Sequence, residues 1–247
     1  MSQLSEGDSP LSSVFCMSTL MTIFTNGGSQ EREIDEDISP VKGIHNSIWA
    51  QTPGQDIIND PARWDMVERY EKDLLTRFAD DSRIIAWCLY NEPENVPACH
   101  TLPLMKKVFQ WAREVAPSQP VTATIITNPF TRKVKYYERF PLITFSCENS
   151  DILSYHCYDS PQDHEDFLKM LRPFNRPIFC TEYLGRTRGS LFETTLPILR
   201  ENKVAAYSFG LVNGATQCQY EWNKVEDGVK IPFGEEPELW FHDIFRA

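Results

Sequence analysis

Arg83-Ile84-Ile85-Ala86-Trp87-Cys88-Leu89-Tyr90, followed at once by Asn91-Glu92-Pro93, is the stretch on which the fold turns. Its continuous apolar run has neither the alternation of a half-buried strand nor the length of a helix, so it reads as a strand covered on both faces, as in a parallel sheet. Before it, Asn59-Asp60-Pro61 is a helix start, and Trp64, Val67, Leu74, Leu75 and Phe78 recur at helical spacing up to Asp80-Asp81. After it the same unit repeats. Leu102 to Ala116 reads as a helix stopped by Pro117, Val121 to Ile126 as a strand and Asp151 to His156 as another. Asp163 to Leu171 and Leu191 to Glu201 read as helices, and Pro177 to Cys180 and Val204 to Gly210 as strands. With Thr19 to Thr25 at the front, six strands alternate with helices, which predicts an α/β fold with a parallel sheet. No G-x-G-x-x-G follows the first strand, so a (β/α)8 (TIM) barrel is preferred over a doubly wound sheet.

Composition narrows the function. The 247 residues carry 24 Lys+Arg against 35 Asp+Glu, a net charge of -11, which argues against nucleic acid as a partner. A chain that is 41% hydrophobic and 12% aromatic can bury a core, and one domain over residues 1–247 is expected, with 1–18 irregular or poorly ordered. The apolar run Val14 to Phe24 falls short of the ~20 residues that cross a bilayer, and no basic opening of a signal peptide precedes it. The expectation is therefore no membrane association and a cytoplasmic default. Seven cysteines without a C-x-x-C pair suggest neither a zinc site nor a disulfide framework. A metal reading on His45, Glu148, Asp151 and His156 lacks any two-His spacing, so no metal and no cofactor are expected. Residues 27–41, including Glu31 to Asp37, read as a surface loop.

In α/β barrels the loops beyond the C-terminal strand ends build the active site. Those positions hold Asn91 and Glu92, then Asn128, then His156 and Tyr158, then Glu182, with Gln217 and Trp222 after the last strand. Two carboxylates among Asn, His, Tyr and Trp suit glycoside hydrolysis: one acid protonates the leaving oxygen, the other attacks or activates water, and aromatic faces hold the sugar.

Leu89-Tyr90-Asn91-Glu92-Pro93 resembles the acid/base motif, and Pro177-Ile178-Phe179-Cys180-Thr181-Glu182-Tyr183-Leu184-Gly185 the nucleophile motif, of the clan of retaining glycoside hydrolases with catalytic glutamates on barrel strands four and seven. That clan holds the cellulase-like family five and the β-galactosidase and mannosidase families. Asp151 to Tyr158 is similar to its strand-six motif. Gly43-Ile44-His45-Asn46-Ser47 and Gly210 to Trp222 resemble the strand-three and strand-eight loops of cellulase-like members. The resemblance implies Glu92 as general acid/base and Glu182 as nucleophile, acting on a β-linked oligo- or polysaccharide. It implies substrate contacts from Asn91, His45, Asn46, Trp49, His156, Tyr158, Gln217 and Trp222, with Tyr158 orienting Glu182. Glu92 is expected to carry the raised pKa of a coupled pair.

The chain before Thr19 is too short for the first two strand-helix units of that clan, so a barrel incomplete at its N-terminus, with six of eight strands, is expected. Open strand edges then favour self-association. The alternative reading is an inactive remnant that at most binds glycans.

Overall fold

The computed structural model describes residues 19–25, 39–48, 51–93, 95, 100–126, 140–210 and 214–242. Trp49, Asn128, most of the expected loop 27–41 and the segment 1–18 lie outside them. The elements follow in the order β1 (Thr19–Thr25), α1 (Gln55–Ile58), α2 (Trp64–Arg77), β2 (Ile84–Asn91), α3 (Thr101–Val115), β3 (Val121–Thr124) and α4 (Phe140–Asn149). Then come β4 (Leu153–His156), α5 (Pro161–Leu171), β5 (Ile178–Glu182), α6 (Phe192–Glu201), β6 (Ala205–Ala206) and the pair β7 (Val225–Glu226) and β8 (Val229–Lys230).

The fold is α/β with parallel sheets. β1, β2 and β3 pair in that order, as do β4, β5 and β6, and every one of these pairings is parallel. One bridge, Ile125 with Tyr155, joins the two sheets in the same parallel sense. It rests on the Ile125 N–H donating to Ser154 O at 3.1 Å and the His156 N–H to Ile125 O at 2.9 Å. The six strands thus run in chain order with helical crossovers. Among the described residues no pairing returns β6 to β1, and no closed barrel is formed.

Alternation along the strands assigns the two faces. Val121 and Ala123 of β3 belong to the apolar cluster that α2 and α3 cover, and Leu153 and Tyr155 of β4 to the one that α4, α5 and α6 cover. The intervening Thr122, Thr124 and Ser154 face the other way and hydrogen-bond to one another: Ser154 Oγ lies 2.8 Å from Thr122 Oγ1 and 2.9 Å from Thr124 Oγ1. Cys88 Sγ lies 3.2 Å from Thr124 Oγ1. His156, two residues beyond Ser154, inherits this polar face. Periodicity therefore points it into the site before any contact is considered.

Three elements differ from the sequence expectation. Helix α4 was not foreseen. The strand expected over Val204 to Gly210 keeps only two paired residues and continues through single bonds, Tyr207 N–H to Cys180 O at 2.9 Å and Phe209 N–H to Tyr183 O at 3.1 Å. The β7–β8 hairpin turns on Asp227 (φ 49°) and Gly228 (φ 80°), the positive-φ pair that a two-residue turn requires. The described cysteines 88, 147, 157, 180 and 218 are free and buried. No described helix is long and apolar enough to cross a membrane.

Candidate active site

β2 ends at Asn91, and Glu92 then takes a left-handed backbone (φ 51°) while its N–H still donates to Thr124 O at 3.1 Å. This sharp departure from the strand lifts the Glu92 side chain over the end of the sheet. Left-handed backbone costs a non-glycine residue, and such outliers gather at functional sites. β5 ends at Glu182, whose Cα pairs with His156 across a register shift and whose carbonyl accepts the Cys157 N–H at 3.0 Å. Tyr158 follows His156 by two residues, so both side chains leave the same face toward the same place.

The result is a compact cluster. His156 Nδ1 lies 2.7 Å from Glu92 Oε1 and 3.3 Å from Glu182 Oε2, and donor atoms of the three residues all lie within 4.8 Å of one another. His156 is buried, while the carboxylates are 12% and 19% exposed, which leaves them open to a ligand from one side. Tyr158 Oη donates to Glu182 Oε2, and Asn95 Nδ2 donates to Glu92 Oε2 at 2.8 Å.

Two carboxylates this close cannot both ionise easily. Burial first, and then the charge of Glu92, push Glu182 up to about 7, while His156 and the Tyr158 hydroxyl pull it down. A raised value therefore falls on Glu182. Burial and the two glutamates hold the Tyr158 hydroxyl far above its ordinary value, so it stays a donor.

The other expected residues divide. Asn91 is buried at the end of β2, in register with Thr25 and Thr124. Trp222 is 42% exposed and stands edge-on to Tyr158 and Phe241, with ring centroids 5.3 and 5.1 Å away. An exposed indole beside the carboxylate cluster can stack a sugar. Gln217 has a different task. Its Oε1 accepts the Gly43 N–H at 3.0 Å, and its Nε2 donates to Val41 O at 2.6 Å and Ile44 O at 3.0 Å, so its amide is spent on clamping the 41–47 segment. Asn46 belongs to that segment, its N–H donating to Thr216 O at 2.8 Å. His45 is buried, bonded through Nδ1 to Tyr220 O at 2.7 Å, and burial lowers it to about 4. Its ring reaches the cluster through His242, 5.5 Å away, which lies 5.0 Å from Tyr158.

Sequence reasoning missed Asn95, which would be visible only as a turn residue three places after Glu92. It also missed the Phe241-His242 wall behind Tyr158. The aromatic run Trp240-Phe241-His242 was the available signal, but Tyr158, which it packs against, lies more than 80 residues away in the chain. Asp159 and Arg188 were missed as well: Arg188 Nε donates to Asp159 Oδ1 at 2.7 Å and its Cζ sits 5.0 Å from the Trp222 ring centroid.

No protein-family model and no curated protein matches the chain. Among the solved structures it is similar to are several β-glucuronidases. The Ruminococcus gnavus enzyme aligns at 18% identity over 60% of this chain and 30% of its own, with a TM-score of 0.43. The Faecalibacterium prausnitzii enzyme aligns at 12% identity over 59% and 28%, with a TM-score of 0.45. The Dictyoglomus thermophilum enzyme aligns at 14% identity over 61% and 29%, also at 0.45. The chain spans less than a third of the length of these relatives.

Proposed function

We propose that the chain carries the catalytic site of a retaining β-glycosidase, on a six-strand arc that is part of a (β/α)8 barrel. Glu182 attacks the anomeric carbon while Glu92 protonates the leaving oxygen. Glu92 then takes a proton from the water that releases the glycosyl-enzyme. Trp222 provides the stacking face, and His156 and Tyr158 hold the two carboxylates in place. The substrate is a β-linked oligo- or polysaccharide.

The observation that carries this reading is the separation of the carboxylates. Oxygens of Glu92 and Glu182 lie within 4.8 Å. Retaining enzymes keep their carboxyl groups about 5–5.5 Å apart, whereas inverting ones leave roughly 6.5–9.5 Å for a water. A direct test is a panel of aryl β-glycosides of glucose, galactose, mannose, xylose and glucuronic acid. Hydrolysis of at least one, abolished in Glu182→Gln with the circular dichroism unchanged, is the expected result. Turnover that survives Glu182→Gln sinks the assignment. Saturable glycan binding without turnover would establish the alternative, a binding remnant.

A further inference from the structure

Arg188 joins three parts of the site. It lies six residues beyond Glu182, in a turn that its own backbone closes: Gly185 and Ser190 exchange both backbone hydrogen bonds, at 3.0 and 3.2 Å, and the Arg188 N–H donates to Gly185 O at 2.9 Å. The single 3-10 turn Arg186–Arg188 ends on Gly189, whose φ of +87° a side chain would strain. A closed turn therefore aims the guanidinium. Its Nε, at 2.7 Å, and its Nη2 both donate to Oδ1 of Asp159, the residue after Tyr158, and its Cζ sits over the Trp222 ring, 5.0 Å from the centroid. Residues 214–224 around Trp222 form neither helix nor strand, so side-chain contacts must hold the indole. Tyr158 and Phe241 meet it edge-on, and the cation adds attraction to the electron-rich face of the ring.

We propose that Arg188 is a positioning residue: anchored by Asp159, it holds the Trp222 ring, before substrate arrives, in the place where a sugar stacks beside Glu182. The consequence for substrate rests on the glycosidase reading; the pinning of Trp222 does not. Ordering the platform in advance removes a cost of binding, so its loss raises KM and spares kcat. Lysine cannot replace Arg188, because a point charge that reaches Asp159 leaves the ring, whereas a planar fork serves both. Asp159 reaches Trp222 through Arg188, so the effects of losing the two residues are not additive.

The full chain labelled with 5-fluorotryptophan tests the pinning without substrate. The Trp222 fluorine signal, one among six tryptophans, is assigned by its loss in Trp222→Phe. It is expected to move or broaden in Arg188→Met and in Asp159→Asn while the other signals stay in place; an unmoved Trp222 signal overturns the proposal. Should Arg188→Met not fold, Asp159→Asn decides. With an aryl glycoside that the protein cleaves, KM should rise roughly 3- to 10-fold in Arg188→Met, Arg188→Lys and Asp159→Asn, with kcat within about 2-fold. The double variant Arg188→Met/Asp159→Asn should be no worse than Arg188→Met alone. A loss carried by kcat, a displaced acid limb of the pH–rate profile, full rescue by lysine or additive effects would each overturn the proposal, the first two because they place the action on Tyr158 and Glu182. If no glycoside is cleaved while the fluorine signal moves, the glycosidase reading falls and the pinning stands; cleavage with an unmoved signal gives the reverse.

Discussion

Glu71 lies on the core stripe of α2 between Val67 and Leu75, fully buried, and neither carboxylate oxygen has a hydrogen-bond partner. The adjacent cation, Lys72, is committed to Glu68 at 2.5 Å and Glu114 at 2.6 Å. Burial dominates and raises Glu71 from 4.5 to about 9, so the folded protein keeps this carboxyl neutral. The favourable contribution is complete below the unfolded value of 4.5 and is lost as pH rises through 9. Between the two values stability falls by ~1.4 kcal/mol per pH unit. Glu71→Gln imitates the neutral acid and removes this dependence. Its advantage over the native residue should be under about 1 kcal/mol at pH 5, about 3 kcal/mol at pH 7 and about 5 kcal/mol at pH 8. Urea denaturation of both proteins at the three pH values, analysed as two-state unfolding, gives these differences directly. A difference that stays flat with pH, or that reverses sign, would refute the reasoning.

Other predictions concern the site and its scaffold. In pH–rate profiles of kcat/KM, the acid limb should lie near 7, where the Glu182 carboxyl loses its proton. Glu92→Gln removes a like charge and should move the Glu182 value down, readable by carbon NMR of labelled glutamate; an upward shift would contradict the electrostatics. Gly43 has φ +79°, and an added Cβ would sit 2.4 Å from Phe233 O, so Gly43→Ala should lower the melting temperature by several degrees. Gln217→Ala, which leaves three backbone groups of the 41–47 segment without their partner, should cost ~1–3 kcal/mol by denaturant melts. β1 and β6 each pair on one side only among the described residues, so light scattering should find concentration-dependent association; a monomer at every concentration would contradict the open-edge argument.

How legible the molecule is in its sequence depended on the kind of signal. β2 was legible because burial on both faces leaves an unbroken apolar run, and Glu92 and Glu182 because strand ends in such folds collect polar residues. Helix α4 was hidden. Its buried positions Leu142, Ile143, Ser146 and Cys147 recur at helical spacing, but the apolar Phe140 and Phe145 and the β-branched Thr144 blur the polar face that would mark them. β6 was overread, because apolar content reports burial and not pairing. The backbone contacts of Gln217 were hidden for a related reason: an amide near a strand end looks alike whether it meets a sugar or a backbone 173 residues away. Glu71 is the clearest conflict between pattern and chemistry, a carboxylate on a core stripe whose burial no periodicity announces.

The central claim is that Glu182 attacks the sugar at a carboxylate pair spaced for retention. Incubation with a set of 2-deoxy-2-fluoro-β-glycosyl fluorides, followed by peptide mass spectrometry, tests it most directly, because the fluorine slows release of the glycosyl-enzyme. The account predicts a single added 2-fluoroglycosyl group on the peptide containing Glu182, absent in Glu182→Gln. A label on a different residue, or a folded protein that turns over a glycoside yet never accumulates the adduct, would contradict it.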